Sequence, residues 1–106
     1  MIDAETIRCA RGETPADLLL KGGRIVDVFS GEIMPGDIAV KNGIIVGIGP
    51  YRARQTVDLD GRFVTPGFFD AHVHIESAMT GITGFARAVA AHGTTTVIAD
   101  PHEIAN

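Results

Sequence analysis

Residues 68–79 read FFDAHVHIESAM, and polar and apolar side chains alternate through most of this stretch. Side chains alternate across a β-strand, so the spacing predicts a strand with two imidazoles and two carboxylates on one face. That polar face consists of Asp70, His72, His74 and Glu76. The opposite face is apolar throughout and is expected to pack against another layer; it consists of Phe69, Ala71, Val73 and Ile75.

The residues that follow predict one βαβ unit. SAMTGITGFARAVAAHG (77–93) carries apolar residues at helical spacing and ends in Gly93, which is typical of a helix stop. TTTVIAD (94–100) is rich in β-branched residues and predicts a second strand, after which HEIAN (102–106) could open another helix. A helix between two strands favours a parallel sheet, and hence an α/β fold.

The preceding part of the chain predicts a β-meander that forms part of a sandwich or small barrel. Between residues 17 and 65, short apolar runs are separated by glycine turns. Asn42-Gly43 and Asp60-Gly61 are dipeptides that favour type I′ hairpin turns, which need positive φ at both central residues. Residues 1–16 read as a short helix or a loose lead-in. Pro66-Gly67 marks the change of pattern, so we expect one unit over residues 1–65 and another over 66–106. The apolar runs are DLLLKGG, RIVDVFSG, DIAVKNG, IIVGIGP, TVDLDG and RFVTPG.

His72 and His74 are the candidate metal ligands. In parallel α/β sheets, functional groups lie at the carboxyl ends of the strands, and both histidines are close to such an end. Two imidazoles at positions i and i+2 can reach one divalent cation, and imidazole suits Zn, Mn, Fe or Ni. The alternative is a surface pair on a half-exposed strand. The continuous apolar face behind the pair favours the metal site.

Four further residues are candidates with alternatives left open. Asp70 could hold a ligand imidazole in one tautomer, or could simply accept a hydrogen bond at the start of the strand. Glu76 and His102 are catalytic candidates, although a histidine after Asp-Pro can also cap a helix. Glu103 could support the site or complement a helix dipole. His92, at the end of the predicted helix, is interpreted as structural.

Composition excludes several classes of function. The formal net charge is −4, there are two lysines and there is no basic run, which argues against a nucleic-acid partner. Cys9 is the single cysteine, so a disulfide framework or a zinc ribbon cannot form within the chain. His74-Ile75-Glu76 opens the H-x-E signature of zinc nucleobase deaminases, but the required P-C-x-x-C is missing. No apolar run predicts a membrane span or signal peptide, so a cytoplasmic location is expected.

The motifs resemble those of one family of the amidohydrolase superfamily, the adenine deaminases (adenine aminohydrolases). The resemblance covers residues 16–106 and is carried by DAHVHIESAM (70–79), FARAV (85–89) and HGTTTVIADPHEIAN (92–106). It implies that residues 1–65 form part of a β-sandwich, and that 66–106 begin a metal-dependent (β/α)₈ barrel. Ala78 and the segment TGITG (80–84) depart from the family pattern and place the start of the helix in question.

The resemblance also implies a reaction. Such enzymes hydrolyse adenine to hypoxanthine and ammonia, with a binuclear Mn or Fe centre, or alternatively Zn, to which His72 and His74 would bind. The partner would be a small-molecule purine, and the enzyme could be a homo-oligomer. Because those enzymes run to several hundred residues, this chain is expected to be an N-terminal fragment that is inactive alone. Two alternatives stay open: another amidohydrolase, such as a cyclic amidase or N-acyl deacetylase, and a non-catalytic β-module.

Overall fold

A computed structural model describes residues 2–100 and 102, and the chain separates into two compact units between Thr65 and Pro66. Helix α1 spans Ala4–Ala10, helix α2 spans Ile82–Ala90, and a 3₁₀ turn spans Ile75–Ala78. The strands are β1 Ala16–Val26, β2 Ile33–Lys41, β3 Ile44–Ile48, β4 Ala53–Asp58, β5 Phe63–Val64, β6 Phe68–Val73 and β7 Thr94–Ala99. The helix expected to open after Pro101 lies, apart from His102, outside the described residues, as does Glu103.

The first unit is a mixed sheet, and the predicted meander is wrong beyond β3. The strand order is β3-β2-β1-β4, and β5 also pairs with β1. Pairs β1–β2 and β2–β3 are antiparallel, whereas β4 and β5 both run parallel to β1. A meander would place β4 beside β3. Instead, β4 and β5 both pair with the second edge of the long strand β1. Sequence periodicity alone does not specify this pairing.

A bulge in β1 explains how one edge of this strand pairs with both β4 and β5. The runs DLLLKGG and RIVDVFSG were predicted as separate strands, but both contribute to β1, whose register with β2 shifts between Leu20 and Gly23. Gly22 has φ +68°, a value that favours glycine. β4 pairs before the bulge and β5 after it. Asp60-Gly61 forms a turn with positive φ at both residues, as predicted, but connects two neighbours of β1 rather than a hairpin.

The predicted Asn42-Gly43 hairpin is confirmed. Both residues have positive φ, 52° and 73°, and Lys41 pairs with Ile44 across the two-residue loop. This turn fixes the register of β2 and β3, and the end of β2 then lies beside α1.

Helix α1 covers the core of the first unit. Asp3 is its N-cap and accepts a hydrogen bond from the Thr6 backbone N–H at 2.8 Å. Cys9 is fully buried and packs with residues of the sheet. The single cysteine is therefore a core residue. The buried cluster is Cys9, Ala16, Leu19 and Ala39.

The second unit contains the predicted βαβ arrangement. β6 and β7 pair in parallel and α2 connects them. The helix is shorter than expected over 77–93, because Met79 adopts a left-handed conformation with φ 53° and Gly81 is the extended N-cap. The apolar face of β6 is only partly covered: Val73 and Ile75 are half-buried, whereas Phe69 is 72% exposed.

No helix of the described residues is long and apolar enough to cross a bilayer.

Candidate functional site

His72 and His74 project from the same side of the chain at the end of β6. Their Nε2 atoms are 2.9 Å apart, and their ring centroids are separated by 4.9 Å with an interplanar angle of 56°. His74 follows the last residue of β6 but keeps an extended backbone, with φ −107° and ψ 91°. The alternation of the strand therefore continues through His74 and brings both Nε2 atoms to one point.

A carboxylate contacts the other nitrogen of the His74 ring. Glu76 Oε1 lies 3.3 Å from His74 Nδ1, and the two side chains are only 13% and 21% exposed. Glu76 was expected to extend the polar face of the strand, but it lies inside the 3₁₀ turn that begins at Ile75. In that turn the Ser77 backbone N–H donates to the His74 carbonyl. The turn therefore brings the Glu76 side chain back towards the His74 ring.

His102 joins this group from the second strand. Its ring meets that of His74 edge to face, with centroids 4.9 Å apart and an interplanar angle of 85°. Its Nδ1 is 3.3 Å from Asp100 Oδ2, and both side chains are largely exposed. Because β6 and β7 are parallel, their carboxyl ends lie at the same edge of the sheet, and three imidazoles meet there.

Asp70 has a different contact from the one expected. Its Oδ1 accepts a hydrogen bond from the His72 backbone N–H at 3.1 Å, and the structure assigns it no imidazole contact. This local bond coincides with the irregular register of β6 and β7 between Asp70 and Val73. His92 lies beyond the end of α2 with an exposed side chain, away from the three clustered histidines.

The paired Nε2 atoms fit a divalent cation. Two nitrogen ligands at about 2.0–2.1 Å from one zinc ion lie about 2.9 Å apart at a right angle and about 3.3–3.4 Å apart at a tetrahedral angle. The observed separation of 2.9 Å falls at the lower of these values. Over residues 2–100 and 102, no group of three or more His, Cys, Asp or Glu side chains is arranged to hold a metal ion. Within that part of the chain, His72 and His74 are thus a pair of candidate ligands.

Curated proteins match the chain closely along its whole length. It is 58% identical over 106 residues to an adenine deaminase from Desulfatibacillum aliphaticivorans and 48% identical over 106 residues to one from Petrotoga mobilis. An adenine deaminase from Geobacillus kaustophilus is 55% identical over 94% of the chain. The resemblance to the adenine deaminases is confirmed. The chain spans 17–19% of the length of these adenine deaminases. No protein-family profile matches it.

Solved structures with a similar fold are amidohydrolase-superfamily proteins. An N-acyl-D-glutamate deacylase from Bordetella bronchiseptica, complexed with zinc and a phosphonate inhibitor, has a TM-score of 0.65 and 30% identity. An L-hydantoinase (dihydropyrimidinase) from Arthrobacter aurescens has a TM-score of 0.64 and 32% identity. Each match covers 81% of this chain, and 19% and 21% of the respective neighbour. These structural matches are more distant in sequence than the adenine deaminases.

Proposed function

We propose that the chain is part of a metal-dependent hydrolase that converts adenine and water to hypoxanthine and ammonia. The identity of 48–58% to adenine deaminases supports the substrate. The observation that carries the metal is the convergence of His72 Nε2 and His74 Nε2 at 2.9 Å. The proposal concerns a whole protein of the length of those relatives, and the 106-residue chain by itself is expected to be inactive.

We further propose that residues 1–65 belong to a small β-sandwich domain and that residues 66–106 begin a (β/α)₈ barrel. The parallel β6–α2–β7 unit supports this, because such a barrel is built from repeats of strand and helix. The imidazoles cluster at the carboxyl ends of β6 and β7, and such a barrel carries its active site at the carboxyl ends of its strands.

His72 and His74 would hold the cation through Nε2, in a centre that we propose to be binuclear Mn or Fe, with Zn as the alternative. Zinc is present in the structurally similar deacylase, while the resemblance to adenine deaminases favours Mn or Fe. When bound, a divalent cation acts as a Lewis acid and lowers the pKa of a coordinated water. The protein's own contribution is to present two imidazoles whose Nε2 atoms already point to one position.

His102 is the proposed proton-transfer residue. Its Nδ1 faces Asp100 Oδ2, and this contact orients the ring. The other nitrogen, Nε2, would then carry a proton to the departing ammonia. Glu76 is retained as a second candidate for assisting catalysis, and Glu103, outside the described residues, stays a prediction. A small-molecule purine partner is proposed from the resemblance, and a cytoplasmic location and a homo-oligomeric form stay proposals.

A second candidate is another amidohydrolase, such as a cyclic amidase or N-acyl deacetylase. The hydantoinase and the deacylase share 30–32% identity and the fold with this chain, and they favour this alternative. Ammonia release from adenine, compared with hydrolysis of a hydantoin and of an N-acyl amino acid, separates the two candidates. Turnover of adenine supports deamination, whereas turnover confined to the other two substrates overturns it.

The metal assignment is tested in the whole protein with His72→Ala, and with His92→Ala as the matched control. His72→Ala removes one of the two Nε2 ligands, so both the bound metal per protein and ammonia release from adenine should fall by at least about 10-fold. His92→Ala removes a histidine that lies away from the site and should change neither. A His72→Ala protein with its full metal content and turnover would show that the assignment is wrong.

A further inference from the structure

The contact between Glu76 and His74 has a consequence for the tautomer of the ring. A neutral imidazole carries a proton on one nitrogen and a lone pair on the other, and an ionised carboxylate only accepts hydrogen bonds. With Glu76 Oε1 at 3.3 Å from His74 Nδ1, the proton belongs on Nδ1. The lone pair of His74 then lies on Nε2, the atom that faces His72.

We infer that Glu76 is a positioning residue, which holds His74 as the Nδ1–H tautomer and directs its Nε2 lone pair to the position shared with His72. This rests on the proposed function for the identity of the ligand, a divalent cation. The role differs from the catalytic role considered for Glu76 above, because the carboxylate acts through His74. Carboxylates that orient a ligand imidazole raise its basicity and fix its ring.

The tautomer of His72 follows from the same geometry. The two Nε2 atoms are 2.9 Å apart, so a hydrogen bond between them needs one proton. Since His74 offers a lone pair there, His72 donates and is the Nε2–H tautomer in the metal-free protein. To offer a cation its Nε2 lone pair, His72 would have to carry its proton on Nδ1 instead. His74 needs no such exchange.

The two nearby carboxylates provide a matched comparison. Asp70 and Glu76 each lie two residues from one of the paired histidines, but Asp70 accepts from the His72 backbone N–H, whereas Glu76 reaches an imidazole nitrogen. Glu76 is also the more buried, at 13% exposure, so its hydrogen bond is less screened by water. Removing Asp70 should therefore leave the tautomer of His74 unchanged, although it removes the same charge.

The first measurement uses metal-free protein labelled with ¹⁵N-histidine at about pH 8, above the usual imidazole pKa of about 6.5. Two-bond ¹H–¹⁵N correlation spectra identify the protonated nitrogen of each ring. We expect Nδ1–H for His74 and Nε2–H for His72. Glu76→Leu keeps the bulk of the side chain without an acceptor and should shift His74 towards Nε2–H. Glu76→Gln retains an accepting oxygen, and it should keep Nδ1–H, as should Asp70→Ala.

The second measurement is titration of the same proteins with Zn²⁺. Glu76→Leu and Glu76→Ala should each weaken binding about 10–100-fold. Glu76→Gln should restore most of the affinity, and Asp70→Ala should stay close to the unsubstituted protein. An unchanged His74 tautomer in both Glu76→Leu and Glu76→Ala would overturn the inference. Because the spectra need neither metal nor adenine, failure of the protein to release ammonia would count against the proposed function alone.

Discussion

At the scale of single residues, Asp17 joins three elements of the first unit. One oxygen accepts from the Lys41 ammonium at 3.0 Å, and the other accepts from the Asn42 backbone N–H in the hairpin at 2.9 Å. Lys41, 3% exposed, also contacts Glu5 of α1 at 2.8 Å. Hydrogen bonds to Glu5 and then to Asp17 raise the pKa of Lys41 above its usual 10.5. Strand β1, the β2–β3 hairpin and α1 are thus held by one group of charges.

Asp17 should make the stability of the protein depend on acid. The Asn42 N–H and then Lys41 lower the pKa of Asp17 below its usual 3.8. A depressed pKa contributes stability that is present above the unfolded-state value and is lost as the pH falls through the folded-state value. Urea midpoints measured between about pH 7 and pH 2 should therefore fall steeply below about pH 4.

Substitution separates Asp17 from the other carboxylates. Asp17→Asn should lower the urea midpoint near pH 7 and flatten its fall in acid, while Asp60→Asn, an exposed carboxylate in the turn after β4, serves as the charge-matched control. Some acid sensitivity should remain, since the Thr6 N–H lowers the pKa of Asp3 and the Phe29 N–H lowers that of Asp27. Parallel pH profiles for the two variants would contradict the role given to Asp17.

At the scale of elements, the sequence predicts strands and turns better than it predicts their partners. Asn42-Gly43 and Asp60-Gly61 adopt the expected conformations because local sterics decide them. The pairing of β4 with β1 instead of β3 depends on long-range packing, and no local pattern marks it. The two glycines Gly22-Gly23, expected to end a strand, instead form the bulge that divides β1 between two neighbours.

The candidate site shows the same division. Alternation correctly places His72 and His74 on one side, because it is a property of the backbone. The role of Glu76 could not be predicted from the sequence. The alternation of polar and apolar residues continues as far as Glu76, so it gives no sign that the strand has ended and a 3₁₀ turn has begun at Ile75. The nearness of His102 follows from the parallel pairing of β6 and β7, which the βαβ pattern did predict.

Packing of α1 on the sheet depends on Gly47 in β3. A Cβ at this position would overlap the ring of Tyr51, whose hydroxyl donates to the Ala10 carbonyl at the end of α1 at 2.9 Å. Gly47→Ala should therefore displace Tyr51 and lower the free energy of unfolding by about 1–3 kcal/mol, as overpacking does. In a Tyr51→Ala background the added methyl has space, and the same change should cost much less. Urea unfolding followed by circular dichroism measures both; equal costs in the two backgrounds would show that the overlap is not the cause.

At the scale of the whole molecule, the core and the candidate site lie in different units. The buried hydrophobic residues of the described chain all precede Thr65, whereas five large apolar side chains of the second unit are more than half exposed. A cavity of about 410 Å³ also lies between α2 and β7. The histidines are therefore carried by the unit with less packing of its own. The exposed side chains are Phe68 at 55%, Phe69 at 72%, Met79 at 96%, Ile82 at 74% and Ile98 at 59%.

This division predicts how the 106-residue chain behaves alone. Catalytic zinc sites use three protein ligands, but no three His, Cys, Asp or Glu side chains of the described residues are arranged to hold a metal ion, although His102 lies beside the His72–His74 pair. The chain should bind Zn²⁺ or Mn²⁺ measurably but more than about 100-fold more weakly than the whole protein, since loss of one outer hydrogen-bond partner already costs 10–100-fold. It should release no ammonia from adenine. Calorimetric titration of the chain, its His72→Ala variant and its His92→Ala variant provides the test. Binding that His72→Ala leaves intact would assign the metal to other residues, and binding as tight as in the whole protein would show that the pair is not an incomplete ligand set.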